Sequence, residues 1–292
     1  MSHPLRLPSG LRLMNLFFGG WTALVFAFLY IPIVLLVVFS FNDSDYNLAW
    51  EGFTTRWYAK MAADRVLVSS LKNSVIIASI TTVVAVVIGT LGAWLLYKYR
   101  FPFRRIINTL IFIPMVIPEV IMGISLLILF SMTFRWMEAW QLAVDGPEWF
   151  TDLSFRQGFI TVIIAHVTFC FPFVLVAVQA RLSGLDPSLE EAALDLGATP
   201  ARAFWHVMVP YMLPAIISGA LMAFTLSMDE VIVTVFTSGP ESKTLPLVMF
   251  DRVRRVNPSL NAISAVLIIV TIALVLVSEW LKRPERPVSR VK

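Results

Sequence analysis

Three carboxylic acids stand inside apolar runs of this sequence. Glu119 lies in "IPMVIPEVIMG", and Asp229 and Glu230 lie side by side in "LSMDEVIV". An acid at the centre of a membrane-spanning helix costs roughly 2.5–3.5 kcal/mol on insertion scales, so such residues face a cavity or a partner rather than lipid. A carboxylate at that depth can line a path or pair with a positive charge. Phe224 shares a run with Asp229 and Glu230. The competing role is structural: an acid can satisfy backbone groups freed by Pro114 and Pro118, or pair with an arginine on another subunit. Glu279 has Lys282 and Arg283 as neighbours and reads as an interface residue.

Other reactive residue types are scattered. His166 and His206 each lack a second ligand at helical spacing, which argues against a metal site. Cys170 is the sole cysteine and lies in an apolar run, where a thiol is a small packing group. No G-x-x-x-x-G-K-[ST] loop occurs, so the chain has no phosphate cradle of its own. No Ser/His/Asp, H-E-x-x-H or Cys/His grouping occurs either. The expectation is a non-catalytic chain that binds no cofactor and no metal.

The elements that must position these acids follow from composition. Hydrophobic residues make up 58% of the 292 and charged residues 14%, against about 25% charged in soluble domains. Mean hydropathy is +0.79. An all-α polytopic membrane protein is expected. The net charge of +4 does not point to nucleic acid, because the basic residues cluster beside apolar runs, as topology signals do. A window of about 20 apolar residues predicts six transmembrane helices, at about 15–41, 74–97, 106–132, 158–181, 208–236 and 262–281. Residues 15–281 then form one transmembrane domain, between a terminus of 1–14 and a tail of 282–292. The basic segment "KYRFPFRR" and the basic tail fall on the same side as Arg6 and Arg12. That side is assigned as cytoplasmic, with both termini there, in a cell inner membrane. Segment 237–261 falls outside despite Arg252, Arg254 and Arg255, and is expected as a surface helix or one folded back into the bundle. Trp and Tyr near charges in "WEGFTTRWYAKM" and "FRWMEAWQL" predict short helices on the outer surface.

The stretch "EEAALDLGATPARAFWHVMVP", from Glu190 to Pro210, is a polar, helix-prone interruption between spans four and five. Asp186, Pro187 and the Ser188/Glu191 spacing are start signals for a helix. Leu189, Ala192, Ala193 and Leu196 make an apolar stripe, and Gly197 ends the helix. Thr199 caps a second helix with Pro200 at its first position, and that helix carries Phe204 and Trp205. A helix–glycine–helix piece with an apolar stripe, acids and aromatics suits insertion into a groove of another protein. The plainer reading is a loop whose helices pack on the membrane surface.

These residues carry a resemblance. Glu191-Ala192-Ala193, three residues, Gly197, nine residues, Val207, one residue and Val209-Pro210 resemble the EAA signature of ABC importer permeases, EAA-x3-G-x9-I-x-L-P. Val207 and Val209 are the two departures, both small apolar changes. "WEGFTTRWY" with "LKNSVIIA", "AHVTFCFPFVLVAVQARL", "FTLSMDEVIVTVFTSGP" and "TLPLVMFDRVRRVNPSLNAIS" are similar to the spermidine/putrescine branch of that family, in particular to the second permease chain of a putrescine-type system.

The resemblance implies a permease fold whose cytoplasmic coupling helix, with Glu190, Glu191, Ala192, Ala193, Gly197, Thr199, Pro200, Phe204 and Trp205, docks into an ATPase subunit. It implies a second permease chain, two ATPase subunits holding ATP and Mg, and a periplasmic polyamine-binding protein. The solute implied is putrescine ahead of spermidine, with Glu119, Asp229, Glu230 and Phe224 as residues of its path. A permease for another small solute is the alternative. An ion-coupled secondary transporter is a further one, but it would leave the docking stretch unexplained.

Overall fold

Apolar runs long enough to cross a membrane become helices because a chain in lipid must satisfy its backbone groups internally. The computed structural model describes residues 9–46, 49–143, 156–186, 188–253 and 258–281. Among these, five helices are long and apolar enough to span a bilayer, within Met14–Phe39, Arg65–Lys98, Glu119–Leu142, Phe159–Leu182 and Pro200–Asp229. The sixth expected span falls on the helix Pro258–Leu281, whose described apolar stretch, Pro258–Ala273, is shorter than that measure. The termini 1–8 and 282–292, residues 254–257 and the side chain of Glu279 lie outside the described residues.

The chain divides into two compact units, residues 1–64 with 252–274, and residues 65–251 with 275–292. In the first, helix α1 spans Ser9–Phe39 and α2 spans Arg56–Ala63. The expected surface helix in "WEGFTTRWYAKM" is this α2. The turn before it is tied by Asn42, whose side chain donates to the Ala49 carbonyl at 2.6 Å and accepts from the Glu51 N–H at 2.8 Å. The Trp57 indole N–H donates to the Asn42 carbonyl at 2.7 Å. Arg56 pairs with Asp43 at 2.9 Å, and Arg252 with Asp64 at 2.6 Å.

The second unit holds the docking stretch and the acids. Its helices are α3 (Arg65–Lys98), α4 (Arg104–Val116), α5 (Glu119–Ala143), α6 (Phe159–Leu182), α7 (Ser188–Asp195), α8 (Pro200–Asp229), α9 (Ile232–Thr237) and α10 (Leu245–Arg252). The buried face of α3 runs through Ser70, Ser74, Ala78, Thr81, Ala85, Gly89 and Ala93. Small residues at such spacing let backbones approach closely, which is how helices associate where no water drives them together. The approach is tightest at Val174 on α6. A Cβ at Gly89 would stand 2.8 Å from Val174 Cβ and 3.0 Å from the Phe171 carbonyl, and one at Gly219 would stand 3.1 Å from Val174 Cγ1. Glycines from α3 and α8 therefore reach α6 at one residue, around which Cys170, Leu175, Val178, Met212 and Ala223 are buried.

Three expected boundaries are corrected. The run 106–132 is two helices, α4 and α5, because Ile117 before Pro118 is extended (φ −68°, ψ 134°) and ends α4; a residue preceding proline is disfavoured in the helical region. The run 208–236 is broken after Asp229, where Glu230 is extended (φ −70°, ψ 117°), and its helix starts at Pro200 rather than 208. The segment "FRWMEAWQL" makes no separate surface helix but continues α5 to Ala143. Of the two placements expected for 237–261, α10 takes the folded-back one. Leu245, Leu247 and Val248 are buried, the Leu245 N–H donates to Ser74 Oγ at 2.8 Å, and Asn73 donates to the Glu241 and Lys243 carbonyls at 2.9 and 3.1 Å.

Candidate functional site

The stretch from Glu190 to Pro210 follows the end of α6 at Leu182. The Ser188 N–H donates to the Asp186 carboxylate at 3.0 Å, which starts α7 and holds that carboxyl below its ordinary value. Helix α7 ends in a left-handed turn: Gly197 has φ +86°, the Gly197 N–H bonds to the Leu194 carbonyl at 2.9 Å, and the Ala198 N–H bonds to the Ala193 carbonyl at 3.0 Å. That pair of bonds is the Schellman closure, in which glycine takes the positive φ without a Cβ penalty. Thr199 then accepts the Arg202 N–H at 3.3 Å, and Pro200 opens α8. The cap signals thus yield two helices meeting at Gly197, and the second runs on into a spanning helix without a break.

Two contacts fix this stretch on its own chain. Lys98, the last residue of α3, forms an ion pair with Glu190 in the first turn of α7. Phe204 is buried, its ring 4.6 Å from that of Trp94 on α3. Of the two aromatics expected on the docking surface, Phe204 therefore points inward as an anchor, whereas Trp205 is 65% exposed. A π-helical segment, Phe204–Met208, follows and turns both Phe204 and Met208 into the core. Glu191 and Ala192 are exposed and Ala193 is half-buried. Leu189 and Leu194 are exposed, and Leu196 is 89% exposed. An apolar ledge on an otherwise polar segment is thus exposed among the described residues. Sequence reasoning missed the roles of Lys98 and Trp94, because "KYRFPFRR" reads as a topology signal and Trp94 as an ordinary apolar residue.

The acids gather at the two helix breaks. Glu119 is the first residue of α5, immediately after the Pro118 break. One turn on, a Cβ at Gly123 would stand 2.5 Å from Phe236 Cδ2 of α9. Glu230 at the other break is buried, and its carboxylate accepts the Val233 N–H at 2.8 Å in the first turn of α9. Glu119 is half-buried. Asp229 is exposed, and Phe224 is half-buried. The expected acids thus stand at the two helix breaks, but in different surroundings: Glu230 caps a helix, and Asp229 is exposed.

His166 of α6 bridges that second break. It is fully buried, with Nδ1 2.8 Å from Ser227 Oγ in the last turn of α8 and Nε2 2.8 Å from Thr234 Oγ1 in α9. Thr234 Oγ1 donates in turn to the Glu230 carbonyl at 3.0 Å. Both ring nitrogens are engaged by hydroxyls, so the imidazole holds a broken helix together. Sequence spacing alone could not show this, since its partners are distant in the chain.

A bundle of spanning helices with two breaks that gather acids, and an exposed helix–glycine–helix ledge, belongs to a membrane transport subunit. The chain belongs to the binding-protein-dependent transport system inner membrane component family, whose profile matches residues 85–283. It is 35% identical over 266 residues to the spermidine/putrescine transport system permease protein PotC of Escherichia coli (strain K12), covering 91% of this chain and 93% of that protein. It is 40% identical over 245 residues to the putrescine transport system permease protein PotI of the same strain, covering 83% and 82%. Among solved structures, a bacterial ABC transporter that imports the acidic polysaccharide alginate shares the fold. Its TM-score is 0.68 at 15% identity, over 97% of this chain and 100% of that one. A bacterial alginate ABC transporter in complex with an alginate pentasaccharide-bound periplasmic protein matches with a TM-score of 0.70 at 15% identity, over 93% of this chain and 95% of that one.

Proposed function

We propose that this chain lines half of the translocation path of an ATP-driven polyamine importer, for putrescine ahead of spermidine. The observation that carries the reading is the uncovered ledge of Leu189, Leu196 and Trp205 around the left-handed turn at Gly197, together with likeness to the two polyamine permeases. In this reading the chain spans the inner membrane six times, with both termini and segment 186–207 in the cytoplasm. It pairs with a second permease chain beneath a periplasmic polyamine-binding protein. Two ATPase subunits, which bind the ATP and Mg, each grip one coupling segment. Closure of the ATPase pair moves the ledge, and the contacts from Glu190 and Phe204 to α3 pass that movement to the spanning helices. Glu119, Asp229, Glu230 and Phe224 lie along the path; Asp229 meets the ammonium groups, and Phe224 offers an aromatic face.

The test is uptake of radiolabelled putrescine and spermidine into proteoliposomes holding the copurified subunits. ATP-dependent uptake is expected, falling several-fold in Asp229→Asn while the subunits still copurify. Uptake by this chain alone down an ion gradient, with no ATPase present, would refute the reading.

A further inference from the structure

Only Glu230 and Val231 separate α8 from α9, and the side chain that bridges them comes from a third helix. His166 on α6 meets Ser227 before the break and Thr234 after it, each at 2.8 Å, and all three side chains are buried. In an unbroken helix Ser227 and Thr234 would lie two turns apart, about 10.5 Å along the axis, too far for one imidazole to reach both at hydrogen-bond distance. The clasp therefore fits the broken helix and not a continuous one. Two further contacts hold α9 and the chain after it to the start of α6: Thr161 donates to the Thr237 carbonyl at 2.7 Å, and a Cβ at Gly239 would stand 2.1 Å from the Gln157 carbonyl. The protons of the clasp follow from its chemistry. A carbonyl only accepts, so the Thr234 hydroxyl gives its proton to the Glu230 carbonyl at 3.0 Å. Thr234 Oγ1 is then an acceptor toward the ring, and the ring proton sits on Nε2. Nδ1 keeps its lone pair and accepts from the Ser227 hydroxyl.

This relay runs one way, from Ser227 through His166 and Thr234 to the backbone of the break itself, and the break lies at the two neighbouring acids. The extended backbone at Glu230 lets its carboxylate turn to the Val233 N–H, while Asp229 stays exposed. A regular helix through Glu230 would give that N–H to the Asp229 carbonyl instead and leave the Glu230 carboxylate without it. We propose that His166 is a positioning residue for the solute: by locking the break it presents the Asp229 carboxylate to the path and holds that of Glu230 out of it. The role rests on the reading of Asp229 as a residue of the path.

The reconstituted complex, with its ATPase subunits and binding protein, tests this through putrescine imported per ATP hydrolysed, a ratio that loss of folded protein leaves unchanged. His166→Leu should lower the ratio about five- to thirty-fold, the size of one lost buried hydrogen bond. His166→Gln should restore most of it, since an amide carries an acceptor oxygen and a donor N–H on one carbon, as the imidazole carries its two nitrogens. His166→Leu combined with Asp229→Asn should fall no further than the lower of the two single variants, because the one acts through the other. Nitrogen NMR spectra of the histidine-labelled chain, with the His166 signals assigned by their loss in His166→Leu, should show the ring proton on Nε2. A wild-type ratio in His166→Leu, a glutamine variant as low as leucine, additive losses in the double variant, or a ring proton on Nδ1 would each overturn the proposal. A wild-type ratio in Asp229→Asn alone would instead remove the path reading, and the proposal with it.

Discussion

Replacing Gly197 isolates one physical term. A Cβ built there meets no atom within 4 Å, so no steric clash accompanies the change, and φ is +86°. The cost is then that of holding an L-residue in the left-handed region, about 1–2 kcal/mol. Helix α7 has eight residues, too few to be stable in water without outside contacts. A cost of that size therefore acts directly on the docked geometry and weakens it by a factor of about 5–30. Titration of the purified ATPase subunit onto the reconstituted permease should show Gly197→Ala binding more weakly by that factor. Gly197→Asn should recover part of the affinity, because asparagine visits the left-handed region more readily than alanine. Wild-type affinity in the alanine variant, or an asparagine variant as weak as alanine, would refute the assignment of Gly197 as the turn that shapes the ledge.

Three further outcomes are expected. The Lys98–Glu190 side chains are 24% and 16% exposed, so Lys98→Met and Glu190→Gln should each weaken ATPase docking by about 1–2 kcal/mol, more than a surface pair contributes; a double-mutant cycle on docking affinity should show the two losses to be non-additive. Gly89→Ala should lower the unfolding temperature of the purified chain, since its Cβ meets Val174 Cβ at 2.8 Å and overpacking costs about 1–3 kcal/mol. His166→Leu leaves the Ser227 hydroxyl without this partner at a cost of about 1–3 kcal/mol, so it should lower thermal stability while the ATPase subunit still binds.

Length and hydropathy lead to the five helices that are long enough to span among the described residues, because lipid demands long apolar runs and tolerates little else. The breaks were less legible. Pro118 carries a signal for one, but nothing in "LSMDEVIV" marks the other, since Glu230 stops α8 by supplying its carboxylate to the Val233 N–H, a contact that hydropathy does not encode. The turn at Gly197 was readable to the residue, because a Schellman closure is local and its glycine, threonine and proline are set by backbone geometry. The inward turn of Phe204 and the clasp at His166 were not readable. Each depends on a partner far along the chain, Trp94 in one case and Ser227 with Thr234 in the other.

Val174 has Gly89 on one side and Gly219 on the other, each too near for a side chain without displacement. Three helices from distant parts of the chain thereby share one small volume. The two glycines differ in what a partner change could do: a methyl gained at 219 meets Val174 Cγ1, which a smaller side chain at 174 would remove, whereas one gained at 89 meets Val174 Cβ and the backbone at 171 and 175. Position 219 could therefore change together with 174, while position 89 is held to glycine whatever non-glycine residue stands at 174.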